Sequence, residues 1–160
     1  MGTVHHGLPP ICDANCRVLI LGSFPSVKSR EAKFYYAHPQ NRFWRVTAAV
    51  FGQDVPRTAD EKTAFLLGNR VALWDVIASC EIEGSADQTI KNAVPNDLTP
   101  ILSAAGIERI FVNGRKAEEF YNKLIAPVIG RPAVYLPSTS PANAAIKYER
   151  LAEAWSAIRL

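Results

Sequence analysis

The segment that most restricts the fold of this chain is the apolar run RVLILG, residues 17–22. Four branched aliphatic residues in succession leave this strand no polar face. Strands that are apolar on both faces are typical of a parallel sheet covered by helices on both sides. Three further apolar segments predict strands at 71–76, 108–113 and 133–136. Helices are predicted at 41–51, 59–67, 97–104, 115–125 and 141–158.

This alternation of strands and helices predicts right-handed crossovers and an α/β fold, in which helices cover both faces of a parallel sheet. The 160 residues are enough for a single domain, 1–160, with a core of its own. The last helix is predicted to begin after Ser140 as its cap, with Pro141 in its first turn. Its apolar face would carry Ala145, Tyr148, Ala152, Trp155 and Ile158.

Conspicuous residues follow each predicted strand. They are GSFPSVKS after the first strand, Trp74 and Asp75 at the end of the second, NGRK after the third and LPSTSPAN after the fourth. Ligands of open parallel sheets bind beyond the carboxyl ends of the strands. We therefore expect the functional site at the edge where these four segments meet.

Composition excludes several classes of protein. No apolar run approaches the ~20 residues that span a bilayer, and the N-terminus lacks the pattern of a signal peptide, so we expect a cytoplasmic protein. Three cysteines, Cys12, Cys16 and Cys80, predict free or buried thiols and no disulfide framework. No pattern of histidines indicates a metal site, and we interpret His5 and His6 as incidental.

Motifs of common enzyme classes are also missing from the sequence. It contains no GxxxxGK[ST] or GxGxxG phosphate loop and no GxSxG nucleophile elbow. What remains is a set of aromatic, amide and hydroxyl side chains beside a basic segment, residues 28–45, with five basic residues and one acidic residue. This combination suits a flat heterocycle that stacks on aromatic rings and is attached to a polyanion. The basic segment is also compatible with an ordinary solvated face.

Two stretches, VLILGSFPSVKSREAKFYYAHPQNRFW and LPSTSPANA, resemble the uracil-DNA glycosylase superfamily, and in particular its deoxyinosine-removing (hypoxanthine-DNA) branch. The likeness extends over nearly the whole chain. It implies a three-layer α/β/α sandwich with a central four-stranded parallel sheet, a base flipped out of DNA into the pocket, and no metal or redox cofactor. The expected partner is DNA that contains deoxyinosine, bound by a monomer.

The chain departs from the general pattern of this superfamily in its first motif. Most members carry Asp or Asn before the proline of that motif, where this chain has Phe24, preceded by Ser23. Leu136 similarly replaces the histidine of the classical uracil enzymes, which makes ordinary uracil excision doubtful. In the deoxyinosine branch the Asn of the HPxN block is the expected catalytic residue, which is Asn41 here.

The resemblance and the residue chemistry together give a set of candidate site residues. Asn41 would orient the attacking water or merely cap the following helix; Ser23 is the second catalytic candidate. The candidates for binding the base are Phe24, Tyr35, His38 and Asp75, although core packing or scaffolding would also explain the aromatic residues and His38, and a local pairing would explain Asp75. The candidates for binding DNA are Ser26, Lys28, Arg115, Ser138, Thr139 and Ser140, where capping is the alternative for the serines.

The predicted function is that of a monofunctional glycosylase that hydrolyses the N-glycosidic bond of deoxyinosine and leaves an abasic site. A uracil or mismatch glycosylase of broader range is the alternative on the same fold. A catalytically silent nucleic-acid-binding domain is the alternative from another functional class, because Phe24 stands at the usual catalytic position.

Overall fold

The structure is a computed structural model that describes residues 2–160. Within these residues the strands are β1 Val4–His5, β2 Val18–Gly22, β3 Val71–Asp75, β4 Ile77–Glu81, β5 Lys91–Pro95, β6 Arg109–Asn113 and β7 Val134–Leu136. The α-helices are α1 Val27–Ala32, α2 Phe43–Phe51, α3 Ala59–Gly68, α4 Thr99–Ala104, α5 Arg115–Phe120, α6 Ala126–Ile129 and α7 Tyr148–Trp155.

Four parallel strands form the central sheet, in the order β3-β2-β6-β7. Each neighbouring pair is in parallel register; Gly22 lies opposite Asp75, and Asn113 lies opposite Leu136. These are the four strands that the apolar runs predict. The predicted α/β class with a central four-stranded parallel sheet is confirmed.

Helices cover both faces of this sheet because consecutive side chains of each buried strand point to opposite faces. Ile20 and Leu73 pack with side chains of α2, α3 and α7 on one face. Leu19 and Leu21 pack with side chains of α4 and α5 on the other face. Each such fully buried aliphatic side chain contributes roughly 1.5–3 kcal/mol to folding. The sheet and its two covers form the three predicted layers.

A second sheet, β1-β4-β5, is antiparallel and was not predicted. His5 pairs with Ser79, and the ladder between β4 and β5 contains irregularities. Ile77 and Cys80 of β4 pack against the α4 and α5 side of the central sheet. The small sheet therefore extends one face of the fold. All three cysteines are free thiols, as predicted.

The helical predictions need three corrections, the last of which concerns residues 115–125. Helix α1 was not predicted, although Ser26 caps it by accepting a hydrogen bond from the Ser29 amide. The continuous helix predicted for 141–158 is wrong: a short 3-10 turn, Pro141–Asn143, is separated from α7, and Ala145 is exposed. The physical reason is Arg42, whose guanidinium binds the carbonyl oxygens of Asn143 and Ile146 at 2.9 and 2.8 Å.

The helix predicted at 115–125 runs farther than expected. Helix α5 passes through a π-helical turn, Tyr121–Ile125, into α6. None of the helices within residues 2–160 has the length and apolarity that crossing a lipid bilayer requires.

Candidate active site

A cavity of about 600 Å³ lies beyond the carboxyl ends of the four parallel strands. Every one of these strand ends contributes to its wall. The lining includes Ser23 after β2, Asp75 at the end of β3, Asn113 and Gly114 after β6, and Ser138, Thr139 and Ser140 after β7. Such convergence at one edge is the arrangement in which open α/β sheets bind ligands.

Phe24 is a buried part of the wall that follows β2. The imidazole of His6 meets the Phe24 ring edge to face, with ring centroids 6.1 Å apart. The guanidinium of Arg30 lies 5.6 Å from the centroid of the same ring. The ring is thus held from two directions while it lines the cavity, which suits an aromatic side chain that presents a surface to a base.

The aromatic block that precedes α2 forms a second wall. Tyr35 is buried, and its hydroxyl donates to the carbonyl of Pro9 at 2.7 Å. Tyr36 stacks on Phe43 with centroids 4.2 Å apart. Burial raises the pKa of both tyrosines, so each phenol stays neutral. His38 also lines the cavity, and its Nδ1 accepts a hydrogen bond from the Gln40 amide.

Asn41 lies at the cavity, two residues before the first residue of α2. Its side-chain Oδ1 accepts a hydrogen bond from the Phe43 amide at 2.9 Å. This bond satisfies the free amide of the first helical residue from the position before the N-cap, Arg42, whose own side chain makes no capping bond. A carboxamide oxygen has two lone pairs, so the same bond fixes the orientation of Oδ1 and leaves room for a second donor.

Asp75 is buried and paired with a residue that the sequence analysis set aside. His6 is not incidental: its Nε2 donates to Asp75 Oδ2 at 2.7 Å, and both side chains are about 5% exposed. The other ring nitrogen lies against the backbone of Leu8. His6 enters this position because hydrogen bonding to β4 continues one residue beyond the end of β1, with the His6 amide bound to the carbonyl of Ala78.

A hydrogen-bond network connects the ends of β6 and β7. The Asn113 side chain donates from Nδ2 to the hydroxyls of Tyr36 and Thr139, and its Oδ1 accepts from the Thr139 amide. Thr139 is fully buried, so its hydroxyl does not reach solvent. This geometry does not support the predicted phosphate contact of Thr139; the residue instead holds the loop.

The remaining candidates for binding DNA differ in their exposure. Ser138 and Ser140 each accept a backbone amide through Oγ, at 3.0 and 3.2 Å, which leaves each hydroxyl hydrogen free to donate. Arg115 extends into solvent over the Tyr135 ring. Ser26 lies at the cavity as the cap of α1, whereas Lys28 is exposed on α1 and is not among the cavity residues within the described part of the chain.

A second carboxylate, Asp87, reaches the cavity from the connection between β4 and β5. Its Oδ2 accepts a hydrogen bond from the Ser23 hydroxyl at 2.7 Å. Burial raises the pKa of Asp87, the bond from Ser23 opposes this effect, and the charge of Asp75 adds to it. Among residues 2–160 no group of three or more His, Cys, Asp or Glu side chains is placed to hold a metal ion.

The family model described as the uracil DNA glycosylase superfamily matches residues 9–159. The chain belongs to the uracil DNA glycosylase superfamily. The cavity at the strand ends is therefore the candidate active site of a DNA glycosylase, with DNA as the substrate.

Relatives of this DNA glycosylase include proteins from two Methanosarcina species. A Methanosarcina acetivorans protein named hypoxanthine DNA glycosylase is 36% identical over 157 residues, which is 97% of this chain and 98% of the relative. A Methanosarcina barkeri protein of the same name is 33% identical and covers 86% of this chain and 87% of its own length. A solution NMR structure of a Methanosarcina acetivorans protein assigned to the uracil DNA glycosylases superposes with a TM-score of 0.79 at 35% identity, covering 96% of this chain and 95% of that one.

Three members of this glycosylase site are not predictable from local sequence patterns. His6 and Asp87 bond to residues 69 and 64 positions away, so no local motif marks them. Asn113 stands in the NGRK segment after the third predicted strand, but its bonds to Tyr36 and Thr139 depend on the register of β6 and β7. An apolar strand that ends in an amide was the only signal available for Asn113.

Proposed function

We propose that this protein is a monofunctional glycosylase that flips deoxyinosine out of DNA and hydrolyses its N-glycosidic bond, releasing hypoxanthine and leaving an abasic site. It would act as a monomer, a single domain spanning 1–160, in the cytoplasm, as the sequence predicts. The names of both curated relatives support this substrate. The observation on which the mechanism rests is Asn41, an oriented carboxamide at the edge of an aromatic-walled cavity.

Cleavage of an N-glycosidic bond builds positive charge on the sugar and negative charge on the departing base. The attacking water needs one of its lone pairs directed at C1′. In the proposed complex a water O–H donates to the second lone pair of Asn41 Oδ1, while the Phe43 amide keeps that oxygen in place. The Asn41 side chain would then bind the helix amide and orient the water at the same time. Orientation of this kind raises the reaction rate on the order of 10²-fold or more.

Specificity for hypoxanthine would come from Asp75. Hypoxanthine carries a hydrogen on N1, where adenine has a lone pair, so an acceptor in the cavity favours the deaminated base. Because His6 occupies Asp75 Oδ2, the other carboxylate oxygen remains as that acceptor. Phe24 would stack on the flipped base, with Tyr35 and His38 completing the wall.

DNA would be held by the exposed groups around the mouth of the cavity. Ser138 and Ser140 can donate their hydroxyl hydrogens to phosphate oxygens. Arg115 and Lys28 would add sequence-independent electrostatic attraction to the backbone, and Ser26 would be a polar contact beside them. Lys116 lines the cavity, but its ammonium pairs with Glu119 at 3.0 Å, so we expect no Schiff base and hydrolysis without strand cleavage by the protein itself.

The test uses duplexes that carry a single hypoxanthine, uracil or xanthine, followed by alkaline cleavage of abasic sites. Strand breaks at hypoxanthine support the proposal. Breaks mainly at uracil support the second candidate, a uracil or mismatch glycosylase, which the assignment of the NMR relative favours. Binding without any breaks would indicate a silent nucleic-acid-binding domain.

The role of Asn41 is tested by Asn41→Ala. We expect the single-turnover rate to fall by about 100-fold or more while the affinity for the duplex is retained. Gln40→Ala is the matched control, since Gln40 is exposed in the same block and does not line the cavity among the described residues. An unchanged rate in Asn41→Ala would leave Asn41 with the cap alone.

A further inference from the structure

The bond between Ser23 and Asp87 joins two distant parts of the chain inside the candidate active site. Ser23 follows β2, and its hydroxyl donates to Asp87 Oδ2 at 2.7 Å. Asp87 opens a 3-10 turn, Asp87–Thr89, between β4 and β5. Both residues line the cavity. A carboxylate is therefore presented to the place where the flipped nucleotide would lie.

The connection that carries Asp87 is anchored at both ends. Ser85 accepts the amide of Val27, which ties this segment to α1. The Thr89 hydroxyl donates to the carbonyl of Ala86 and accepts the amide of Glu83. These bonds fix the turn, so the position of Asp87 is set by the backbone as well as by Ser23.

The cavity lining contains two carboxylates among residues 2–160, and they are not equivalent. Asp75 is buried and committed to His6. Asp87 is partly exposed to the cavity, and its protein partner is the Ser23 hydroxyl. Because His6 occupies Asp75 Oδ2 and the base is assigned to the other oxygen of Asp75, Asp87 is the carboxylate that remains for the attacking water.

Several charged or ionisable groups act on Asp87. Burial raises its pKa, the Ser23 hydroxyl lowers it, the carboxylate of Asp75 raises it and the ammonium of Lys116 lowers it. Neighbouring groups that respond to Asp87 in turn are the phenol of Tyr36 and the thiol of Cys80, whose pKa values its charge raises. A carboxylate with a raised pKa is a stronger base when ionised, which is the property that proton abstraction requires.

We propose that Asp87 is a further catalytic residue, the general base that takes the proton from the attacking water, and that Ser23 is its positioning residue. This inference rests on the proposed function. Asn41 is a neutral amide that can orient water but cannot hold its proton, so the reaction needs a second group.

The proposed step balances in atoms and charge. The water oxygen forms a bond to C1′ while the bond between C1′ and N9 breaks, and its electron pair leaves with the base. One proton of the water passes to the carboxylate of Asp87. Asp87 then gives this proton to the hypoxanthine anion, directly or through a relaying solvent molecule, which restores the ionised carboxylate.

The principal test is Asp87→Asn, measured as the single-turnover rate of hypoxanthine release over a pH series. Asn keeps an oxygen that accepts the Ser23 hydroxyl but cannot take up a proton, so a purely structural Asp87 would tolerate the change. We expect a loss of about 100-fold and disappearance of the rise in rate with pH that ionisation of Asp87 produces in the wild type. A loss below tenfold, or a persistent acidic limb, would overturn the proposal.

Ser23→Ala keeps the inference testable if Asp87→Asn folds poorly. Removing the donor to the carboxylate raises the pKa of Asp87 further, so the acidic limb should move to higher pH; an unmoved limb contradicts the assignment. Glu83→Gln is the control, because Glu83 is an exposed acid of the same connection and is absent from the cavity lining within residues 2–160. Its profile should match the wild type.

The two proposals fail in different ways. A wild-type protein that releases no hypoxanthine defeats the proposed function. A wild-type protein that releases it at the rate of Asp87→Asn, with the same pH profile, defeats only the assignment of Asp87.

Discussion

The two sheets of this glycosylase contribute differently to the candidate site. The parallel sheet supplies the floor, with Ser23, Asp75 and Asn113 at the ends of three of its strands. Within residues 2–160 the small antiparallel sheet supplies none of the floor, but the segments attached to it carry His6 to Asp75 and Asp87 to the cavity. Each of these two residues bonds to a residue at an end of a parallel strand. The parallel sheet therefore determines where the site lies. The small sheet supplies the hydrogen-bond partners of two polar side chains at the ends of the parallel strands.

The largest expected effect tests whether the segment after β1 stabilises the protein through the pair of His6 with Asp75, in addition to covering the core. His6→Ala removes the partner of a buried carboxylate and leaves Asp75 unpaired. We expect the free energy of unfolding to fall by about 3 kcal/mol, because an uncompensated buried charge is strongly destabilising. Denaturant unfolding monitored by tryptophan fluorescence measures it.

His5→Ala is the matched control for this comparison. His5 is the last residue of β1 and directly precedes His6, but its side chain is exposed. A surface truncation of this kind changes the free energy of unfolding by no more than about 0.5 kcal/mol. Equal effects of the two substitutions would mean that the small sheet only shields the core.

Gly22→Ala tests the packing around Asp75 from the opposite side to His6, at the end of β2. A Cβ on Gly22 would overlap Asp75 Oδ1 and would lie 2.9 Å from the Tyr36 hydroxyl. Neither neighbour yields easily, because His6 holds Asp75 and Asn113 holds Tyr36. We expect a loss of about 2 kcal/mol in the free energy of unfolding together with slower excision of hypoxanthine. A variant as stable and active as the wild type would show that this strand end is loosely packed.

The difference between the sheets also explains what the sequence could predict. The central strands are continuous apolar runs, so Val18 to Leu21 was recognised without any structural knowledge. Strand β1 has two residues, and β5 is largely exposed and irregularly paired, so neither carries a period that sequence analysis can detect. The fold class was therefore predictable, whereas the second sheet was not.

Prediction of the site follows the same division. Convergence of the four strand ends could be predicted because parallel strands present their carboxyl ends at one edge. His6 could not be distinguished from His5 in sequence, since only the path of β1 brings one of them to Asp75. The predicted C-terminal helix ran too far because Arg42, distant in sequence, binds carbonyl oxygens that the helix would have used.

Gly114→Ala gives a smaller expected effect at the end of β6, away from the small sheet. Gly114 has a φ of +96°, which an L side chain rarely adopts, and a Cβ would lie 3.1 Å from the Ser138 Cβ. We expect the free energy of unfolding to fall by about 1.5 kcal/mol from backbone strain. Thermal denaturation compared with Gly130→Ala separates strain from crowding, because Gly130 also has a positive φ but open space around it. A smaller loss at Gly114 than at Gly130 would contradict close packing between the two strand ends.

The smallest expected effect on stability comes from Arg115→Ala, at the exposed rim of the parallel sheet. The Arg115 side chain is 74% exposed, pairs with Glu118 at 3.1 Å and lies 3.8 Å from the centroid of the Tyr135 ring. Exposed ion pairs contribute little, so the free energy of unfolding should change by less than about 0.5 kcal/mol. Binding to a duplex should nevertheless weaken, and the slope of log K against log salt concentration should decrease by about 1 if Arg115 neutralises one phosphate.

Arg150→Ala is the control for this salt dependence, because Arg150 is exposed on α7 and does not line the cavity within residues 2–160. Its removal takes the same charge from the protein, so an equal decrease in slope for both variants would mean that overall charge and not the rim attracts the DNA. A decrease confined to Arg115→Ala would sharpen the comparison between the sheets. It would make the rim of the parallel sheet the part of the protein that meets the phosphates, apart from the proposed contacts of the base with Asp75 and of the water with Asp87.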